Sequence, residues 1–372
     1  MSKVMKIVLI VLLVIVLAVV GLGLYVLTNM RSGAVETVEK PVDLVMESTE
    51  APEEVVVSEE ATPTPTAMPI YEEQSKVASI VNIMLIGTDS RTAAEVQDAE
   101  GRSDSMMLAS INTEKGTITL VSFLRDARVH RIGKSGRFTF FNRLNGAYSG
   151  GYGGGGPGEL INTLNENFKL DIQEYVSIGF DGFAALIDKI GGLDVDCDEA
   201  EINFINDRIK GNFVNEPDIV RKASTIKEGP GVIHLDGAQC LIYARNRHTG
   251  FTGGQGNDID RVNRQQEIIE LVFAKVTKEM NEQSVLALIS FATDYVSTNM
   301  SIDTMSELAK ILLTKGMTFT KTVFPTPGTY HNYVDEDGVE TSLLEFDIDQ
   351  AAAELNKLLY GESFVPTPTP AN

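Results

Sequence analysis

The sequence predicts an α/β domain, a mixed sheet covered by helices, preceded by one transmembrane helix. Three observations predict it: an uncharged apolar run near the N-terminus, short β-branched runs that alternate with amphipathic helical segments, and no internal repeat of solenoid period.

The N-terminal run, residues 7–27, carries no charge. At about 1.5 Å per residue it matches a hydrocarbon core of about 30 Å. It exceeds the apolar stretch of a signal peptide and no small-residue cleavage site follows it. Lys3 and Lys6 precede it, whereas Arg31 gives way to acidic sequence, so the positive-inside rule places residues 1–6 in the cytoplasm. The expectation is a single-pass protein of the cell membrane, spanning at 7–29, with its bulk extracytoplasmic. Residues 30–78 are acidic, poor in aromatics and contain a Thr-Pro alternation, which predicts a disordered tether. Residues 362–372 repeat the Pro-Thr pattern and are expected to be a disordered tail.

Between these segments, 80–87, 105–112 and 117–123 are short apolar or β-branched runs of strand length, the last two joined by a turn at Gly116. The spacing predicts a helix over 158–169, a strand over 174–179, and a helix over 181–190 with Asp181 as N-cap and a Gly191-Gly192 stop. A strand at 193–197 precedes helices at 236–245 and 259–280, where Ile269, Val272, Phe273 and Val276 share one face. The main folded domain is expected over 79–285. Residues 286–361, with two helical patterns and a strand-like 320–324, complete it.

The hydrophobic share of 43% in 372 residues supports a sizeable core. A net charge of −21 opposes sequence-independent attraction to polyphosphate backbones, which excludes nucleic acid as an expected partner. Cys197 and Cys240 are the only cysteines; an outside location permits a bridge, and two buried apolar thiols are the equal alternative.

The chemistry-bearing signal is a set of arginines and aspartates where strands end or helices begin. Asp89 and Arg91 follow the first strand; Arg102 and Asp104 open the second; Arg125 and Asp126 close the third, at the carboxyl end where open α/β sheets bind ligands. Arg143 and Asn145 precede a glycine-rich loop. Arg245 and Arg247 lead to Asp258, Asp260, Arg261, Arg264 and Gln265. On a helix, Arg261, Arg264 and Gln265 fall within about a third of the circumference and can converge. Convergent guanidinium groups in an acidic protein predict a multiply charged anion, bound by forked charge-assisted hydrogen bonds. Asp89 and Asp104 supply hard oxygens of the kind that hold Mg²⁺ against substrate phosphates. Together these parts predict a phosphoryl-transfer site.

Other signals are weaker. The glycine loop 150–158 lacks the Gly-Lys-Ser/Thr ending of a nucleotide loop. Ser224 to Lys227 spells Ser-x-x-Lys without its companion motifs. His130, His234, His248 and His331 show no zinc-ligand spacing, although His248 lies beside Arg247.

In this order the clusters resemble the signature of the LytR-CpsA-Psr family, from about Ile80 to Lys275. The family's Gly-x-Asp-x-Arg is similar to Gly87 to Arg91, its Arg-Ser-Asp-Thr to Arg102 to Ser105, and its Arg-Asp to Arg125-Asp126. Its Lys-Ile-Asn-Ala-Ala resembles Arg143 to Ala147. Its Arg-x-Arg and Asp-x-x-Arg-x-x-Arg-Gln resemble Arg245 and Arg247, then Asp258, Arg261, Arg264 and Gln265. Leu124, Ser105, Arg143 and Asp260 depart from the usual residues, and a glycine-rich insertion occupies 249–257. The resemblance implies a three-layer α-β-α sandwich that holds a polyprenyl pyrophosphate, its tail in an apolar channel and its pyrophosphate clamped by arginines. It implies transfer of a glycopolymer, such as teichoic acid, capsule or another secondary wall polymer, from that carrier to peptidoglycan. The acceptor it implies is the primary hydroxyl of N-acetylmuramic acid. By this reading Asp89, Asp104, Arg125 and Asp126 are catalytic. Arg91, Arg102, Arg125, Arg143, Asn145, Arg245, Arg247, Arg261, Arg264 and Gln265 bind pyrophosphate, and Asp89 and Asp104 hold Mg²⁺, or Mn²⁺ in its place. The general base stays open. A hydrolase using water as acceptor, and a non-catalytic envelope sensor, are the rival readings.

Overall fold

A computed structural model describes residues 79–91, 95–96, 101–132, 138–149, 155–211, 216–250, 257–279, 291, 294–300 and 317–361. The expected transmembrane helix, tether and tail lie outside the described residues, as do most of the glycine loop and of the 249–257 insertion. Among the described residues no helix is long and apolar enough to cross a membrane.

A six-stranded mixed sheet forms the middle layer. Its strands are β1 (Ile80–Thr88), β2 (Ser103–Asn112), β3 (Thr117–Phe123), β6 (Glu174–Ile178), β9 (Val296–Thr298) and β10 (Thr318–Phe324), in the order β10-β3-β2-β1-β6-β9. β1 pairs antiparallel with β2 and parallel with β6; β3 pairs antiparallel with β2 and parallel with β10. Three two-stranded ribbons flank it: β4 (Arg128–Ile132) with β5 (Phe138–Arg143), β7 (Leu193–Cys197) with β8 (Gly231–Leu235), and β11 (Tyr330–Val334) with β12 (Glu340–Phe346).

Alternation along the strands sends neighbouring residues to opposite faces. Met84, Ile86, Leu108 and Val121 pack against helices α1 (Gly156–Phe168) and α7 (Ile348–Tyr360), through Leu160, Leu164, Phe168 and Leu355. Ile83, Met107 and Leu120 face the other way, toward Leu186 of α2 (Phe180–Lys189) and Ile269 and Phe273 of α6 (Asp258–Glu279). The resulting layers are helix, sheet, helix. Beyond the second helical layer, β7, β8, α3 (Glu199–Ile209), α4 (Asp218–Arg221) and α5 (Gly237–Ala244) share a further core with α2 and α6, where Cys197 and Cys240 are buried free thiols.

Polar ties pin the layers. Gln266 of α6 donates from Nε2 to Ser122 Oγ on β3 and to the Thr322 carbonyl on β10, both at 2.9 Å. Asn356 of α7 donates to the Phe168 carbonyl at the end of α1, 2.7 Å away.

Two local expectations are corrected. The second helix starts at Phe180, with Gly179 as N-cap, and Asp181 lies in its first turn. The Phe180 N–H donates to the Ser90 carbonyl at 2.9 Å, and a Cβ on Gly179 would stand 2.6 Å from that oxygen, so this close approach sets the start. The second strand begins at Ser103, two residues before the expected start, because Thr88 pairs with Ser103 across an irregularity after Gly87. Such bulges re-aim strand ends beside sites.

Candidate active site

The β1–β2 pairing brings the first two clusters together. The Asp89 N–H donates to the Arg102 carbonyl at 3.1 Å, and the Arg102 N–H donates to Asp89 Oδ1 at 2.6 Å. Gly101, at φ +91°, closes this turn; a Cβ there would stand 2.4 Å from Asp89 Oδ1. Arg91 and Arg102 are exposed, and the Arg91 N–H donates to Glu95 at 2.6 Å.

Arg125, just past β3, is the hub. Its guanidinium lies 3.2 Å from Asp104, 3.6 Å from Asp126 and 3.5 Å from Asp258. Burial pulls its pKa down, but these carboxylates outweigh burial and the net direction is up. Asp126 in turn lies 3.1 Å from Arg143, which also bonds Ser342. Asn145 is buried, and its backbone N–H donates to the Arg125 carbonyl at 3.1 Å.

α6 contributes from the opposite side. Arg261 donates to Asp258 at 3.0 Å, and burial draws its pKa down despite that partner, helped by Arg125 and Arg247. The buried Nε atoms of Arg125 and Arg261 have no hydrogen-bond partner among the described residues. Buried donors rarely stay unpaired, so both are available to donate to an acceptor, although Arg125 Nε already stands 3.6 Å from Asp126 Oδ2.

Arg245, the C-cap of α5, donates to Glu216 at 2.8 Å and lies 4.5 Å over the Phe180 ring. Glu216 also bonds Arg208 of α3. This buried carboxylate therefore orients two guanidinium groups at once.

Two cavities meet here. An apolar one of about 200 Å³ lies between the sheet and α2, α5 and α6, walled by Leu85, Met107, Val176, Phe183, Leu241 and Ile269. A polar one of about 230 Å³ is lined by Arg125, Arg208, Arg245, Arg247 and Arg261, with Asp104, Glu216, His248 and Gln265. Asp104, Arg245 and Gln265 border both. A charged recess thus borders a greasy one.

Of the residues expected to bind the anion, Arg125, Arg245, Arg247, Arg261 and Gln265 line the polar cavity, as does Asp104. Asp126, Arg143 and Asn145 stand behind Arg125 as a supporting layer, and Asp89, Arg91 and Arg102 stay at the β1–β2 turn. Arg264 departs from expectation. It is fully buried and donates to Glu201 at 2.9 and 2.6 Å, to the Asn246 and Gly250 carbonyls at 3.1 and 3.0 Å, and to Thr249 at 3.1 Å. Its donors are consumed by the protein, so it braces the segment after α5 instead of presenting to an anion. Arg208 and Glu216 carried no motif that marked them; only the packing that brings α3 and the segment before α4 to Arg245 does.

For a divalent cation, no group of three or more His, Cys, Asp or Glu side chains gathers among the described residues. Asp89 and Asp104 nevertheless come from paired strand ends and supply one carboxylate each. That donor set suits Mg²⁺, which takes one or two carboxylates and completes its shell with water and substrate phosphate.

Fold and cavities define an α/β protein with a guanidinium-lined recess beside an apolar chamber. The sequence matches the LytR_cpsA_psr family over residues 45–351, and the chain belongs to that family. It is 29% identical over 204 residues to the polyisoprenyl-teichoic acid–peptidoglycan teichoic acid transferase TagV of Bacillus subtilis, covering 55% of this chain and 46% of the relative. It is 29% identical over 233 residues to biofilm regulatory protein A of Streptococcus mutans, covering 62% and 52%. The chain spans about half the length of these curated relatives. Its fold is similar to that of B. subtilis TagT, solved with bound octaprenyl pyrophosphate lipid, with a TM-score of 0.51, 20% identity, and 77% and 92% of the two chains covered.

Proposed function

We propose that the chain is an envelope phosphotransferase that moves a glycopolymer from a polyprenyl-pyrophosphate carrier to peptidoglycan, at the primary hydroxyl of N-acetylmuramic acid. The observation that carries this is the shared border of the two cavities at Asp104, Arg245 and Gln265, which suits an amphiphile whose anionic head and apolar tail are adjacent. The name of the B. subtilis relative and the lipid in TagT support the same substrate class. The uncharged run at 7–27 and its flanking lysines support a membrane anchor with the catalytic domain outside.

In this reading the tail lies against Leu85, Phe183 and Ile269, and the pyrophosphate takes the open donors of Arg125 and Arg261 with Arg245 and Arg247 beside them. The acceptor hydroxyl attacks the phosphorus that carries the glycan, the bridging P–O bond breaks, and polyprenyl phosphate leaves. The arginines stabilise charge that moves onto the leaving phosphate, in a recess where such interactions exceed their strength in water. Asp104 and Asp126 hold Arg125 in place. Asp89 and Asp104 would hold Mg²⁺, which supplies further charge neutralisation at the phosphates when bound.

The test is transfer of labelled glycan from a polyprenyl-pyrophosphate donor to nascent peptidoglycan by the full chain in detergent, with Mg²⁺ or chelator. Transfer lost in Arg125→Ala by about a hundredfold or more, with metal dependence, is the expected result. Release of free glycan without attachment would make the protein a hydrolase. Lipid binding without turnover would favour a sensor, the reading that the name of the S. mutans relative suggests.

A further inference from the structure

We propose that His248 is the general base that takes the proton of the acceptor hydroxyl. This rests on the transferase reading and names a group for a role that reading leaves vacant.

His248 lines the polar cavity alongside Phe204, Arg208 and Arg247. Its ring stacks on Phe204 at 5.5 Å and 28°, and Arg208 lies over the same phenyl ring at 4.9 Å, so the plane of the imidazole is fixed from α3. Its backbone is held as well. The His248 N–H donates to Asn246 Oδ1 at 2.9 Å; Asn246 is fully buried, bonds Thr249 at 2.6 Å, and offers its carbonyl to Arg264. The buried Arg264–Glu201 pair therefore ends, through Asn246, on the residue that carries the imidazole.

The ring nitrogens of His248 take no protein partner among the described residues. By contrast, His234 is bonded to Asp194 at 2.7 Å and His331 lies 3.6 Å from Glu345, both on outer ribbons. The carboxylates that line the cavity are engaged: Asp104 by Arg125, and Glu216 by Arg208 and Arg245. A base must be neutral before it can accept. Burial, with Arg208 and Arg247 beside it, draws the His248 pKa below 6.5, which keeps the ring uncharged at neutral pH. Arg125, Arg245 and Arg261 line the same recess, as do the carboxylates of Asp104 and Glu216, each of which is paired with an arginine.

In the step, the acceptor O–H bond breaks as its oxygen bonds the glycan-bearing phosphorus; the proton passes to the open ring nitrogen, and the electron pair of the broken P–O bond leaves on polyprenyl phosphate. The imidazolium then returns its proton to solvent. No oxidant or further reactant is needed.

The test uses the full chain in detergent with a polyprenyl-pyrophosphate-linked glycan and peptidoglycan, comparing wild type, His248→Gln and His248→Ala across about pH 5 to 9. The expected result is a kcat lower by about a hundredfold or more in both variants, with donor KM within about threefold. The acid limb of the wild-type profile disappears in His248→Gln, and free imidazole restores part of the rate of His248→Ala. Variants that keep the wild-type kcat and acid limb overturn the proposal, as does a raised KM with kcat unchanged, which would make His248 a wall of the pocket only. A wild-type chain without transfer sinks the transferase reading and the base with it, whereas wild-type transfer with unaltered variants sinks the base alone.

Discussion

Arg125 and Arg264 are one sequence type with two physical fates. Arg125 sits among three carboxylates yet keeps a buried Nε without a hydrogen-bond partner, so its loss removes a donor that the proposed anion would take. Arg264 has its donors consumed by Glu201 and backbone carbonyls, so its loss removes a brace. Arg264→Ala leaves Glu201 buried without its partner, and breaking such pairs costs about 3–5 kcal/mol. Against a total of about 5–15 kcal/mol, that is a large fraction. A denaturant melt of Arg264→Ala should show it, whereas Arg125→Ala should lose transfer with a much smaller change in midpoint. The sequence could not separate them. Helical spacing places Arg261 and Gln265 toward the recess and Arg264 about 100° from Gln265, but what lies opposite, Glu201 on α3, is set by tertiary packing. Arg208 and Glu216 were illegible for the same reason, while Asp104, Arg125 and Arg245 were legible because strand ends and a helix cap fix where they stand. Glu174 carries a second residue-scale consequence. Partly buried at the start of β6 with Oε2 unpartnered, its carboxyl is pushed by burial from an ordinary 4.5 up to about 7. A raised acid pKa favours the protonated folded state, so its stabilising contribution is full below about pH 4.5 and is lost as pH rises to about 7. Glu174→Gln should flatten stability against pH in that window and gain about 1 kcal/mol at pH 8, discounted for partial exposure; chemical melts at several pH values would measure it.

At the scale of elements, the legible ones were those with a clean apolar run or a clean alternation. β1 and β3 read directly as β-branched or apolar runs and β7 as a short strand, while α5 proves to be fixed by a reciprocal cap in which Asp236 accepts from the Gln239 N–H at 2.8 Å and Gln239 accepts from the Asp236 N–H at 2.9 Å. β4, β5, β11 and β12 escaped notice because these ribbons lie outside the central sheet and expose residues such as Phe141 and Val334, which blurs a period of two. The same α5 sets a packing limit. Gly237, in its first turn, crosses α2 so closely that a Cβ would stand 1.9 Å from the Ala184 carbonyl oxygen. Gly237→Ala must push the two helices apart, at about 1–3 kcal/mol or more. Because Phe183 and Leu186 on α2 and Leu241 and Ala244 on α5 wall the apolar chamber, the same shift should weaken binding of a polyprenyl lipid. Thermal melting and labelled-lipid binding together check this; a normal midpoint with normal binding would show that the helices can give.

The whole molecule places its candidate site on one side of the sheet and a sealed core on the other. Both cavities lie on the face covered by α2, α5 and α6, while α1 and α7 close the other face. The segment 317–361 matters to both: β10 completes the sheet at β3 and receives Gln266 of α6, and α7 seals the opposite core with Ala351, Leu355 and Leu359. A chain ended at Asp347 would lose α7 alone. At about 1.5–3 kcal/mol for each large side chain removed from the core, Leu355 and Leu359 cost several kcal/mol. Exposure of Phe168 and loss of its bond from Asn356 add to this. The sum approaches the total stability of a domain. The truncated chain should therefore show no cooperative unfolding transition by circular dichroism and no transfer. A cooperative melt with transfer intact would mean that the sheet and the catalytic face hold together without this helix, and that α7 is an appendage to the core instead of one of its walls.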